Sequence, residues 1–155
     1  MSLTAWRIVA PKYAEPLAAF SGEGAKKTSG RWNSKGVAMA YTSATPSLAI
    51  LEMRANVLPD PDLIYILLPI RFPKDLVETI TAKELPTDWK SQPAPQSLKH
   101  LGDEWTRSRR CAVLKVPSVL LEIEWNYLIN PGHSAFPGQF AFGEAVEFRF
   151  DSRLV

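Results

Sequence analysis

An α+β fold, built on a mixed or mainly antiparallel sheet with flanking helices, is predicted by three features of this sequence. The last strand-like stretch alternates cleanly, with Val146, Phe148 and Phe150 on one face and Glu147, Arg149 and Asp151 on the other. Short apolar runs bounded by proline or glycine recur before it. Two further segments carry helix grammar instead. The 155 residues, 46% hydrophobic and 22% charged, suit one domain spanning 1–155, and a chain of that length hides roughly 70% of its unfolded surface without disulfide staples.

Each element follows from local chemistry. Residues 5–9 read as an opening strand. Residues 21–36 read as a loop, because Gly22, Gly24, Gly30 and Gly36 are spread among serines and lysines, and glycine allows a ligand close approach to the main chain. After a short apolar stretch at 37–41, Thr45 and Pro46 supply a hydroxyl cap and a proline at the first helical position, so a helix over 46–56 follows. Its apolar residues point in nearly every direction, which predicts a buried helix. Residues 63–68 form a continuous apolar run of strand length, and 76–80 a weaker strand. Pro86, Pro93 and Pro95 mark a loop before a second helix over 97–109. Residues 111–116 read as a strand that 119–124 extends. Thirteen prolines punctuate the chain into short pieces rather than marking one disordered tail.

Charge and composition exclude several function classes. Net charge is +2, without the clustered basic stripe of a sequence-independent nucleic-acid binder. The first forty residues are nonetheless basic (Arg7, Lys12, Lys26, Lys27, Arg31, Lys35 against Glu15 and Glu23), which suits a small anion. One cysteine, Cys111, forbids an internal disulfide, and with only His100 and His133 no dense zinc site is expected. The start of the chain lacks a secretory pattern, and the run 63–70 is too short to span a bilayer, so a cytoplasmic protein without a membrane span is expected.

Three polar residues stand where the local pattern prefers something else. Arg31 sits in the glycine loop, where its planar fork suits a phosphate or carboxylate, although a solvated loop arginine fits the same pattern. Glu52 stands alone on an apolar helix, on the face of Leu48 and Ala55, although a helical glutamate on an exposed stripe fits the same pattern. Burying it unpaired costs free energy, which a nearby arginine would offset. Ser118 follows Pro117 at a strand end, positioned to aim its hydroxyl into a cleft or to bond its own backbone in a turn. No glycine-flanked elbow or histidine triad surrounds it. Trp32 and Tyr41 suit either a core or a flat ligand, and His133 sits in a turn expected at the surface.

The stretches Ser21-Gly22-Glu23-Gly24-Ala25, Gly30-Arg31-Trp32-Asn33-Ser34-Lys35-Gly36, Tyr41-Thr42-Ser43 and Leu48-Ala49-Ile50-Leu51-Glu52 resemble, in order, the first half of the RES domain. Val116-Pro117-Ser118, Asn126-Tyr127-Leu128-Ile129-Asn130-Pro131 with His133, and Phe150-Asp151-Ser152-Arg153-Leu154 resemble the second half. The family's namesake arginine, glutamate and serine match Arg31, Glu52 and Ser118. Ser134 competes for the serine role, because Ser134 and Ala135 replace the proline and acidic residue that usually follow the motif histidine.

The resemblance implies the toxin of a bacterial toxin–antitoxin system that destroys NAD+ on a fold similar to that of ADP-ribosyltransferases. It implies an Xre-type helix-turn-helix antitoxin as partner, NAD+ as substrate rather than cofactor, and no resident metal. Tyr41 would pack against nicotinamide, with Trp32, Asn33 and Ser43 as further substrate contacts. Two rivals stay open: transfer of ADP-ribose onto a protein, and a non-catalytic module that holds an anionic partner through the Arg31 loop.

Overall fold

The computed structural model describes residues 1–155. Strands β1 (Ser2–Val9), β2 (Ala40–Ser43), β3 (Tyr65–Pro73), β4 (Val77–Thr79), β5 (Val113–Pro117), β6 (Trp125–Ile129), β7 (Ala141–Phe142) and β8 (Val146–Phe148) form one sheet. Its order is β4-β5-β6-β2-β1-β3-β7, with β8 also on β3. Only β4 and β5 run parallel, so the sheet is mixed and mainly antiparallel, as the sequence predicts. Four α-helices accompany it: α1 (Pro16–Ala19), α2 (Glu23–Thr28), α3 (Pro46–Asn56) and α4 (Gln96–Ser108). No helix is long and apolar enough to cross a membrane.

The helix over 46–56 lies where its cap places it, the Thr45 hydroxyl accepting from the Leu48 amide at 3.1 Å. Its burial is the first correction. Leu48 and Ala49 are buried, but Leu51 is 45% exposed, so α3 packs on the sheet with one stripe and leaves the rest in solvent. Val146 is likewise 46% exposed, and the regular strand ends at Phe148, while Phe150 is buried edge-on against Tyr65.

Two further expectations are corrected. The glycine-rich segment is not all loop: Gly22, with φ at +73°, lets the chain turn into α2 directly after it. Residues 119–124 do not extend β5. The Ser118 hydroxyl accepts from the amides of Leu120 and Leu121, the Ser118 amide donates to the Glu124 carbonyl, and the chain reverses into β6. The strand over 63–68 runs further, through Pro69 to Pro73. Pro69 is tolerated because its carbonyl accepts from Gly143 on the outer side of β3, which places its missing N–H on that side too, away from the ladder with β1.

β1 and β2 pair at the single position Trp6↔Ser43, so the sheet is nearly split there into two halves. Arg7 bridges the split, its Nη1 donating to the Tyr41 carbonyl at 3.1 Å, and burial pushes its pKa down. One face carries a core of 14 buried residues, among them Phe20, Ile70 and Phe72. The other carries a second core of nine, including Trp32, Trp89, Leu98 and Trp105. Truncating a buried tryptophan typically costs about 3–5 kcal/mol, so this second core firmly anchors the segments that contribute Trp32 and Trp89.

Candidate active site

The acidic side of the site is assembled on regular elements. The register Ser43↔Asn126 puts both side chains on one face of the sheet, and the Ser43 hydroxyl donates to Asn126 Oδ1 at 2.7 Å. The Asn126 amide is thereby oriented to donate to Glu52 Oε2 on α3. Ser118 adds a second, longer contact to the same oxygen at 3.4 Å. Glu52 Oε2 is thus held by two donors, whereas Oε1 accepts no hydrogen bond from the protein.

The basic side is assembled on an irregular segment. Gly30 and Asn33 bridge across a tight turn whose central residues are Arg31 and Trp32. A Cβ on Gly30 would lie 2.6 Å from the Tyr41 hydroxyl oxygen, so only glycine fits. Arg31 Nη1 donates to the carbonyls of Trp89 and Ser91, both at 3.1 Å. Its other donors make no protein hydrogen bond, and half of the fork stays open. Burial lowers the Arg31 pKa, and the Glu52 carboxylate, followed by Tyr41, opposes that. Glu52 and Arg31 therefore lie within electrostatic reach. No ion pair within 4 Å joins them, so the two groups are near without being spent on each other.

Between the two sides stands Tyr41. Its hydroxyl donates to Asn33 Oδ1 at 2.6 Å and accepts from the Trp32 amide at 3.0 Å. Burial pushes the phenol well above its ordinary value. Asn33, with no exposed surface, donates onward to the carbonyls of Ala25 and Val37. Of the two further residues expected to touch substrate, Trp32 is buried in the second core and Asn33 is buried inside the turn. Ser43 and Ser118 are also buried, at 3% and 0% exposure, and contact Asn126 and Glu52 respectively. The Ser118 hydroxyl bonds its own turn, the second of its two sequence readings, and also contacts Glu52.

Ser134 lies elsewhere. Asn126 is at the start of β6, and the turn holding Ser134 follows the strand's far end, about 13 Å away at strand rise. His133 sits half-buried in that turn, its Nδ1 accepting from the Ala135 amide. An apolar groove of about 630 Å³ opens on the flank of α3, lined by Leu48, Leu51, Leu121, Ile123 and Trp125 among others, but not by Arg31, Glu52 or Ser118. Sequence reasoning missed Asn126 as a site residue. Its signals were a polar side chain set among the apolar residues 125–129 and its place at the head of a motif shared with the RES domain.

The fold places the chain in a known class. It matches the solved M. tuberculosis MbcT–MbcA toxin–antitoxin complex with a TM-score of 0.77 over 96% of this chain and 85% of that one, at 19% identity, a likeness of fold. The family follows from the sequence comparisons. The RES domain model matches residues 4–151. The chain is 34% identical over 150 residues to Toxin Res of Yersinia enterocolitica, covering 96% of this chain and 97% of that protein. It is 37% identical over 162 residues to the Prs ADP-ribosylating toxin of a Sphingobium species, covering 100% and 98%. The chain belongs to the RES domain family and is a toxin of that family.

Proposed function

We propose that this toxin cleaves the bond between nicotinamide and ribose in NAD+. The observation that carries the reading is the asymmetry of Glu52, with one oxygen held by Asn126 and Ser118 and the other open, beside a half-open arginine fork. Breaking the bond from nicotinamide nitrogen to the ribose C1′ returns an electron pair to the pyridinium ring and leaves positive charge on the ribose, as in glycoside cleavage. Nicotinamide leaves neutral, so no general acid is required. The open Glu52 oxygen stabilises the developing cation or holds a ribose hydroxyl, and the free donors of Arg31 grip a phosphate or ribose oxygen. Water or inorganic phosphate then forms the new bond at C1′ and releases its proton to solvent, giving ADP-ribose or its phosphorylated form. Tyr41 offers its ring to the nicotinamide while its hydroxyl stays committed to the turn.

The experiment is chromatography of the products after incubation of purified protein with NAD+. Free nicotinamide from wild type, and its loss in Glu52→Gln and Arg31→Ala with circular dichroism unchanged, supports the reading. Full turnover in both variants overturns the site. The name of the Sphingobium relative favours a second reading, transfer of ADP-ribose to a protein. Label from NAD+ appearing on a polypeptide when lysate is added selects it. No nicotinamide under any condition leaves the binding module.

With NAD+ as the proposed substrate, we assign the action to the cytoplasm. We also assign the toxin an antitoxin partner, a reading supported by the toxin–antitoxin complex that shares its fold, and we take the Xre helix-turn-helix type of that partner from the family resemblance alone. A stable complex on co-expression of the neighbouring gene supports it, and unrestrained growth with the toxin alone counts against it.

A further inference from the structure

Three residues on one face of α4 contact the Arg31 turn, and nothing in the proposed chemistry uses them. Lys99, Gly102 and Asp103 are spaced three and four apart, so they share a helix face. The Lys99 ammonium donates to the Gly30 carbonyl. Asp103, 2% exposed, accepts the Ser34 amide at 2.9 Å. Gly102 lies so close to the turn that a Cβ there would fall 1.7 Å from the Trp32 carbonyl oxygen. Carbonyl 30, carbonyl 32 and amide 34 are thus met in succession by one side of a thirteen-residue helix.

The turn needs such a hold. Ser29, just before Gly30, has φ at +65° and ψ at 168°, a region that residues other than glycine rarely adopt and that persists only where surrounding contacts over-determine it. A cation on the next carbonyl supplies a charge-assisted bond at the point of strain. Asp103 closes the other end of the turn with the second such bond.

We propose that the Lys99–Gly102–Asp103 face of α4 is the positioning element of the site, setting where the Arg31 fork stands relative to Glu52. The inference rests on the reading of Arg31 as the residue that grips substrate. These side chains act through the turn and not on the reacting atoms. A displacement of the fork by even 1 Å is enough to cost about a hundredfold in a preorganised site.

The test uses Lys99→Met, which keeps the stem and removes the donors, with Lys99→Arg as the conservative variant, and Asp103→Ala with Asp103→Asn, which keeps an accepting oxygen. Two readouts are taken on full-length protein: hydrogen exchange of the peptide covering 29–34, and steady-state nicotinamide release. Lys99→Met and Asp103→Ala are expected to speed exchange of this segment at least about tenfold and to raise KM for NAD+ by about 10–100-fold. Lys99→Arg and Asp103→Asn stay within about threefold of wild type. A merely destabilised protein would instead lose kcat in proportion to the unfolded fraction at unchanged KM. Unchanged exchange overturns the proposal whatever the kinetics, and faster exchange with unchanged KM shows that the turn is held but that Arg31 is not positioned by it, which also overturns it. If wild type releases no nicotinamide, the proposed function fails, and exchange alone decides whether α4 holds the turn. Should the Lys99 variants not fold, the Asp103 pair answers the same question.

Discussion

Glu52 is held by side chains on regular elements, whereas Arg31 is held by main-chain carbonyls on an irregular segment. On the acidic side, the Ser43↔Asn126 register and the Ser118 turn determine where Glu52 Oε2 stands, and sheet hydrogen bonding maintains that register. On the basic side, Nη1 reaches the carbonyls of Trp89 and Ser91 in a proline-rich stretch whose one buried anchor at that point is Trp89. Lys90 and Glu122, 2.5 Å apart, tie that stretch to the turn after Ser118. Both are about half exposed, so the tie contributes little. The difference teaches where tolerance lies. The carboxylate is preorganised by the sheet, and the arginine by a turn whose position depends on a few side-chain contacts from the second core and α4.

The sharpest way to break this comparison is to remove charge from the acidic side alone. Glu52→Gln keeps the shape and the acceptor oxygen, so the fold is expected to hold while nicotinamide release falls about 10²–10³-fold, the scale of one lost transition-state electrostatic contact. A loss below tenfold would mean that Glu52 orients rather than stabilises charge. Asn126→Leu removes the donor to Glu52 and the acceptor of Ser43 together. It is expected to lower kcat by about tenfold, since one hydrogen bond to a charged group is worth roughly 1.5–3 kcal/mol and Ser118 remains as a weaker donor. Steady-state kinetics over a range of NAD+ concentrations separate the two holding networks, because Asn126→Leu is expected to act mainly on kcat and the Lys99 and Asp103 variants mainly on KM.

How far the sequence disclosed this can be argued residue by residue. The Thr45-Pro46 cap placed the start of α3, because a hydroxyl and a fixed φ act within one turn of the chain. β6 was missed because the apolar residues at 119–124 mimic a strand, and propensity does not register that one hydroxyl, on Ser118, reverses the chain before them. Arg31, Glu52 and Ser118 were all singled out as polar residues set against the local pattern. Their assembly was not legible locally, since the Ser118–Glu52 contact spans 66 positions and the Asn126–Glu52 contact 74. Trp32 and Asn33 lie beside Arg31 in sequence and suggested substrate contacts. Adjacent residues of a tight turn point different ways, and theirs is inward.

The smallest expected effects fall on the residue between the two sides. Tyr41→Phe strands the buried Asn33 Oδ1 and the Trp32 amide, and leaving such groups unpaired costs about 1–3 kcal/mol. Denaturant unfolding is expected to show that loss, with nicotinamide release at saturating NAD+ retained while the turn stays folded. The same variant sharpens a pH argument. Burial raises the Tyr41 phenol above its ordinary value of 10.0, and burial raises Tyr127 as well. In the folded protein Tyr41 keeps its proton where the unfolded chain has begun to lose it. The unfolded state therefore binds fewer protons above pH 10, and stability must fall as pH rises from there toward the folded pKa. Below pH 10 the contribution is fully present. Removing the hydroxyl removes that proton difference, so the unfolding free energy of Tyr41→Phe is expected to decline less steeply above pH 10 than that of wild type. Identical alkaline slopes would show that the phenol is not the group whose ionisation unfolding releases, and would detach Tyr41 from the turn it is placed to hold.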